Sequence, residues 1–340
     1  MNHDSHPMAW LVRRDGCALA GYGPFDERDE HPADGAAFYV QDFALSDPRP
    51  WKVPSRIKRL DCREFASRMP EPGHSLDFQW NPLDAAGFSV VFQEITSSIH
   101  SGLFEKTVPV VTETGTASEY PGAAIAAAMA RRRMPLQSYG WIQGNSGFAG
   151  ATPELLLSMN GAHLETMALA GTARTEDREV FAVDEKEIRE HEYVAQTLVS
   201  KLLDLGRLER RSREILELGP IVHFLTQILV EMDIPMAPET VLRKLHPTPA
   251  LGPLPRTGET MQRLLEWRNR LGCPPGFGAP FGLWDDGRFD AVVAIRGIWW
   301  EDRNVRIPAG CGIIEASRLV NEWRELRLKR EAVKSVLQPF

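Results

Sequence analysis

The sequence is poor in cysteine, and its cysteines are scattered. No two of the four form a Cys-x-x-Cys pair; they are Cys17, Cys62, Cys273 and Cys311. This spacing indicates neither a zinc knuckle nor a disulfide framework, so we expect reduced thiols. The first residues, Met1 to Asp4, lack the basic and apolar regions of a secretory signal. Together these absences predict a cytoplasmic protein.

An excess of positive charge and long apolar runs are also missing. The formal net charge is −7, so the chain carries no basic footprint for nucleic acid. The longest run of small apolar residues, Gly122–Ala130, is too short to span a bilayer and predicts a buried, alanine-rich helix. Neither a Gly-x-Gly-x-x-Gly motif after a strand nor a Walker A loop is present, which leaves nucleotide binding unsupported. We expect no nucleic-acid partner and no membrane partner.

What is present is the composition of a soluble globular protein, with 43% apolar and 25% charged residues. The 340 residues have room for one large domain or two ordinary ones. The first 55 residues contain no long periodic run; a strand is predicted at Phe38–Phe43 and a connector at Ser46–Pro54. We therefore predict a short N-terminal strand and loop segment, residues 1–55, packed as one unit with a main domain, residues 56–340.

Hydrophobic periodicity predicts an irregular alternation of helices and short strands in the main domain. Predicted helices are Phe88–Ile99, Glu185–Leu205, Met261–Leu271 and a last one from Ser317 to about Leu337. Predicted strands are Glu105–Thr112, Tyr139–Ile142, Leu155–Met159 and a hairpin of Asp290–Trp300 with Val305–Ile307. The stretch 215–230 mixes both signals and is not assigned. This order favours α+β or mixed α/β with antiparallel pairing.

The last predicted helix carries acidic and basic residues on one face. Ser317 can cap it, and Glu322, Glu325 and Lys329 then fall at spacings of three and four residues. Two carboxylates and an ammonium group in a row can hold a divalent cation beside an anionic ligand. A solvated salt-bridge face is the simpler interpretation of this segment taken alone.

Other polar residues lie in apolar surroundings, where they are costly unless paired. Glu154 enters an apolar strand and is a candidate general acid with a raised pKa, unless it faces solvent. Lys106 lies among apolar strand residues and could serve as a base if burial keeps it neutral. His223 is a candidate site residue or an ordinary core histidine. Glu190, beside His191 on the long helix, could bind a metal or simply be solvated.

Nine such clusters occur in an order that resembles the chorismate-utilising enzymes, the family of isochorismate synthase, anthranilate synthase component I, aminodeoxychorismate synthase and salicylate synthase. The resemblance covers about residues 84–337. The clusters are Gly102–Lys106, Gly150–Glu154, Leu169–Thr172, Lys186–His191, Leu245–Gly252, Phe277–Gly282, Ala294–Arg296, Gly310–Ile313 and Glu322–Lys329. The resemblance implies an α/β (α+β) sandwich of two layered antiparallel sheets with helices outside. It also implies that residues 56–340 are the chorismate-binding catalytic domain.

The resemblance also implies roles for individual residues. It implies that Glu190 and Glu325 are Mg²⁺ ligands, with Glu322 nearby. For chorismate binding, it implies that Arg296 and Gly312 hold the enolpyruvyl carboxylate and that Gly171 and Thr172 hold the ring carboxylate. Lys329 would add positive charge, and His223 and Ala250 would line the ring site. For catalysis, it implies that Lys106 is the base that activates water and that Glu154 is the acid that protonates the departing hydroxyl.

Within that family the pattern is most similar to isochorismate synthase. Ammonia-using members tend to carry threonine where this chain has Ala250, which resembles the water-using members. Phe277 departs from the tyrosine often found in its loop. We expect a Mg²⁺-dependent isomerase, a monomer or weak homodimer, acting in menaquinone or siderophore biosynthesis. The alternatives are salicylate synthase, an ammonia-using synthase, and a non-catalytic chorismate-binding protein.

Overall fold

The computed structural model describes residues 7–70 and 76–337. Residues 1–6, on which the expectation about a secretory signal rests, lie outside this range. The strands are β1 Met8–Val12, β2 Cys17–Arg28, β3 Ala36–Val40, β4 Trp51–Asp61, β5 Phe78–Trp80, β6 Lys106–Thr107, β7 Val110–Ala117, β8 Gln137–Gln143, β9 Ser146–Thr152, β10 Leu155–Asn160, β11 His163–Arg174, β12 Gly206–Arg210, β13 Glu214–Leu218, β14 Ile221–Met232, β15 Pro280–Asp285, β16 Arg288–Val293, β17 Gly297–Glu301, β18 Asn304–Gly310 and β19 Ile313–Ile314. The α-helices are α1 Cys62–Arg68, α2 Ala86–His100, α3 Gly122–Ala130, α4 Arg178–Phe181, α5 Glu185–Leu202, α6 Pro238–Leu245, α7 Gly258–Arg270 and α8 Leu319–Lys334.

Seventeen of these strands form one continuous antiparallel network. Pairing runs in the order β5, β7, β18, β17, β9, β8, β1 and β2 through one layer. Strand β4 pairs with both β2 and β3, and the second layer continues through β15, β16, β10, β11 and β14 to β12 and β13. The separate pair β6 and β19 completes the described strands.

The two layers meet over a core that both supply. Leu11, Leu19 and Tyr139 from the first layer pack with Phe281 and Leu283 from the second. Helices α1 and α3 cover the outer face of the first layer, and α5 and α6 pack against the second. Burial of this much apolar surface on both faces stabilises the strands. The predicted α/β sandwich of antiparallel layers with helices outside is confirmed.

The N-terminal segment is more regular than its composition predicts. The connector predicted at Ser46–Pro54 is wrong in its second half, because Trp51 begins β4 and is fully buried. Pro54 is tolerated in this strand where the pairing with β2 shifts register, so that a missing N–H donor costs little. Strand β4 also runs across residue 55, and the division of the chain at that point stays a prediction.

Two other local predictions are corrected. The strand predicted at Asp290–Trp300 is two strands, β16 and β17, because the backbone turns at Arg296, whose φ is 56°. Ser317 does not cap α8; the N-cap residue is Arg318, and the Ser317 hydroxyl accepts from the Ile314 N–H instead. The stretch that the pattern left unassigned is the β13–β14 hairpin.

Candidate active site

One cavity brings together most of the predicted site residues. They come from the ends of β9, β11, β14, β16 and β18, from helices α5 and α8, and from the loop between α6 and α7, which carries Ala250. Nine of them line it: Glu154, Gly171, Thr172, Glu190, His223, Ala250, Arg296, Gly312 and Lys329. Phe277, Leu251 and Ile295 supply apolar walls. Residues 130 or more positions apart in sequence therefore share one pocket.

Arg296 reaches this cavity because the chain turns between β16 and β17. Its positive φ is unusual for a residue with a side chain and is typical of functional positions. The Tyr139 hydroxyl donates to the Ile295 carbonyl at 2.9 Å and holds the turn. Burial lowers the pKa of Arg296 to about 10, so the guanidinium stays charged at neutral pH. In the described part of the chain it pairs with no carboxylate, which leaves it available to an anionic ligand.

His223 connects Arg296 to the glycine turn of β11. Nη2 of Arg296 lies 2.8 Å from Nε2 of His223, and Nδ1 of His223 lies 2.7 Å from the Gly171 carbonyl. Because arginine only donates, Nε2 must accept and Nδ1 must carry the proton. Burial lowers the pKa of His223 well below its usual range, as does nearby Arg296, which agrees with a neutral ring. His223 therefore orients the guanidinium.

Glu154 lies in the turn between β9 and β10 and is 4% exposed. Burial raises its pKa to about 8, although Lys106 and Lys329 oppose the shift. The side chain is therefore mostly protonated at pH 7. A neutral carboxylic acid facing a cavity can donate a proton to a leaving group, which is the chemistry that its sequence position predicts.

Lys106 lies immediately behind the cavity wall. It is fully buried on β6, and its Nζ lies 3.2 Å from Oε1 of Glu190, at an angle that makes no regular hydrogen bond. Gly312 separates it from the cavity, since a Cβ built there would lie 2.8 Å from Cε of Lys106 and 2.0 Å from Oε1 of Glu190. A side chain at this position would force Glu190 and Lys106 to shift, and its absence leaves a gap between Lys106 and the cavity.

The three predicted metal ligands do not form a closed cluster. Within residues 7–70 and 76–337, no group of three or more His, Cys, Asp or Glu side chains is arranged to hold a metal ion. Glu190 lines the cavity, Glu322 faces an outer depression, and Glu325 lies in that depression, paired with Lys329 at 2.5 Å. The reason is that an ammonium group, Lys186, lies between Glu190 and Glu322.

Lys186 and Glu187 are site residues that the sequence prediction did not single out. Lys186 Nζ lies 2.9 Å from Glu187, 3.0 Å from Glu190 and 3.4 Å from Glu322. Glu187 also accepts the Thr172 N–H at 2.8 Å. The spacing was a usable signal, because residues 186, 187 and 190 share one face of a helix.

The carboxylates around Lys186 are short of positive charge. Burial and neighbouring carboxylates raise the pKa of Glu322 to about 8 and that of Glu187 to about 7, with Lys186 acting against both shifts. Glu190 takes the opposite direction, to about 2, because Lys186 and Lys106 outweigh its burial. Oε2 of Glu322 is buried without a hydrogen-bond partner. Such a donor set, all carboxylate oxygen, suits a hard divalent cation such as Mg²⁺.

The architecture and the cavity define a class: an antiparallel α+β sandwich whose buried pocket presents an arginine and a lysine to an anionic ligand, with acid and carboxylate groups beside them. The chain matches the protein family described as "Chorismate binding enzyme" over residues 53–338. It belongs to that family.

Curated relatives of this chain are named as isochorismate synthases. Isochorismate synthase MenF of Bacillus subtilis is 30% identical over 205 residues, 56% of this chain and 42% of that protein. Isochorismate synthase EntC of Escherichia coli is 30% identical over 200 residues, 55% of this chain and 50% of that protein. The chain spans about half the length of the curated relatives it matches.

A solved structure shares the fold. The menaquinone-specific isochorismate synthase MenF of Escherichia coli superposes with a TM-score of 0.82 at 22% identity, over 98% of this chain and 89% of that one. A further relative, the salicylate biosynthesis isochorismate synthase of Pseudomonas aeruginosa, is 28% identical over 72% of this chain and 53% of that protein.

Proposed function

We propose that this protein is an isochorismate synthase that converts chorismate to isochorismate. The observation that carries the proposal is Glu154, a buried carboxyl group that is mostly protonated at neutral pH, in the same cavity as Arg296 and Lys329, two cationic side chains that suit a dianionic substrate. The names of the relatives support the same activity.

In the proposed reaction Lys106 takes a proton from water as the water oxygen bonds to ring C2. The ring double bond shifts, and the bond from C4 to its hydroxyl breaks. Glu154 supplies the proton that lets this hydroxyl leave as water. One water enters and one leaves, so the reaction is an isomerisation. Lys106 then returns its proton and Glu154 regains one through solvent.

Binding is assigned to the groups that are cationic or polar in the cavity. Arg296, oriented by His223, and the Gly312 backbone would hold the enolpyruvyl carboxylate. The Gly171–Thr172 turn would hold the ring carboxylate, with Lys329 adding charge. Mg²⁺, held by Glu190 and Glu325 with Glu322 nearby, would neutralise the ring carboxylate when bound. The unpartnered Oε2 of Glu322 supports this placement.

The setting of the reaction is part of the proposal. All four cysteines are free thiols, which supports a cytoplasmic location. No helix in the described ranges is long and apolar enough to cross a membrane. The relatives' names support a role in menaquinone or in salicylate and siderophore biosynthesis.

Product analysis tests the function. Purified protein is incubated with chorismate and Mg²⁺, with and without ammonium, and the products are identified by liquid chromatography and NMR. Isochorismate without pyruvate is the expected result. Salicylate with pyruvate, or an amine formed only with ammonium, would assign a sister activity. Tight chorismate binding without any product would contradict catalysis.

A further inference from the structure

The Lys186 ammonium occupies the position where the acidic side chains of α5 and α8 converge. It contacts carboxylates from two helices, Glu187 and Glu190 on its own and Glu322 on α8. Among the described contacts, no other ammonium or guanidinium group pairs with Glu322. Lys186 is therefore the cation that holds the two helices together at this point.

Carboxylates outnumber lysine side chains around this position. Four carboxylates lie close to three lysines; the members are Glu187, Glu190, Glu322, Glu325, Lys106, Lys186 and Lys329. A divalent cation that took the place of the Lys186 ammonium would meet the oxygens of three carboxylates at once, those of Glu187, Glu190 and Glu322.

The geometry also favours exchange over addition. The distances from Nζ of Lys186 to carboxylate oxygens, 2.9 to 3.4 Å, leave no space for a second cation between them. Lys186 is the second residue of α5 and its side chain is 19% exposed, toward the outer depression that Glu322 and Glu325 also line. A flexible four-carbon side chain at this place can rotate into that depression without moving the helix.

We propose that the Lys186 ammonium and Mg²⁺ occupy the same position alternately, so that metal binding requires Lys186 to leave. The inference rests on the proposed function, whose Mg²⁺ site shares Glu190 and Glu322 with the position of Lys186. Lys186 keeps the metal-free carboxylates paired and the helices in place, and it weakens Mg²⁺ binding by competing for the same oxygens. Release of Lys186 would also place a positive charge in the outer depression when the metal binds.

Chemical footprinting of the unmodified protein tests this directly. The full chain is treated briefly with an acetylating reagent, with and without MgCl₂ and without chorismate, and the modified lysines are quantified by mass spectrometry. We expect acetylation of Lys186 to rise at least threefold with Mg²⁺. Lys244, which pairs with Asp204 just past the C-terminal end of α5, is the internal control and should not change. Unchanged or reduced acetylation of Lys186 would overturn the proposal.

A variant gives an independent readout. Lys186→Met removes the competitor, so the Mg²⁺ dissociation constant measured by titration calorimetry should fall at least tenfold. The metal-free melting temperature should also fall, and Mg²⁺ should restore it. Lys244→Met, the matched control, should leave the dissociation constant unchanged. An unchanged or weaker Mg²⁺ affinity in Lys186→Met would refute competition. If that variant does not fold, the acetylation experiment alone tests the proposal.

These outcomes separate the inference from the proposed function. Mg²⁺-dependent isochorismate formation with Lys186 still protected from acetylation would refute the inference alone. Exposure of Lys186 by Mg²⁺ in a protein that does not convert chorismate would refute the proposed function alone.

Discussion

Replacing Glu154 with glutamine should stop turnover and, at the same time, stabilise the protein. Burial raises the pKa of this carboxyl from 4.5 to about 8. The folded state therefore holds the proton more tightly than the unfolded state, and folding stability is lost as pH rises from 4.5 to 8. Glutamine has nearly the same shape and does not titrate, so the variant escapes this loss.

The magnitude follows from the size of the shift. One pKa unit corresponds to about 1.4 kcal/mol, so the three units between pH 4.5 and 7.5 predict that the Glu154→Gln variant is more stable by about 4 kcal/mol at pH 7.5. At pH 5 the same reasoning gives a difference of under about 1 kcal/mol. Because an amide cannot act as a general acid, kcat should fall by about 10²- to 10⁴-fold, while chorismate binding is kept.

Urea unfolding at pH 5 and pH 7.5, followed by circular dichroism, measures the stability difference, and calorimetry measures chorismate binding. Glu301→Gln is the matched control, since Glu301 is exposed at the end of β17, and it should be neutral at both pH values. If Glu154→Gln differs in stability from the unmodified protein by the same amount at both pH values, the raised pKa of Glu154 is refuted. Substantial residual turnover would remove Glu154 from the acid role.

Three further substitutions test the other parts of the site. Lys106→Ala should lower kcat by about 10³-fold with an unchanged circular dichroism spectrum, and substantial isochorismate formation would remove Lys106 from the base role. Gly312→Ala should lower kcat/KM about a hundredfold, because its Cβ would displace Glu190 from 2.0 Å away; kinetics at normal rate would show that the gap is not needed. Arg296→Lys should raise KM for chorismate about tenfold or more through loss of the bidentate contact, and an unchanged KM would contradict the carboxylate clamp.

Much of the fold was predictable from local patterns. The helices α2, α5 and α7 follow apolar periodicity, and their observed bounds lie within a few residues of those predicted. The N-terminal strands were not predictable in the same way. In β2 the buried positions occupy only the first half, and in β4 most positions are partly exposed, so no regular alternation appears in the sequence. Their strand conformation comes from pairing with each other rather than from residue preference.

Most of the side chains that share the cavity were predictable from the sequence, but their arrangement was not. The nine predicted residues that line the cavity are identified by their order along the chain. The turn that presents Arg296 was not predicted, because the residues on both sides of it favour strands and only pairing with different partners separates β16 from β17. The contact of Lys186 with Glu322 could not be predicted either, because Glu322 comes from a helix more than 130 residues away.

The most direct test of the central claim uses isotopically labelled water. The protein is incubated with unlabelled chorismate and Mg²⁺ in H₂¹⁸O, and isochorismate is analysed by mass spectrometry and NMR. Because water is proposed to attack C2 while the C4 hydroxyl departs, we predict one ¹⁸O atom in each product molecule, at the C2 hydroxyl. Isochorismate without the label would mean that the original hydroxyl migrates within the substrate, and it would contradict the roles assigned to Lys106 and Glu154.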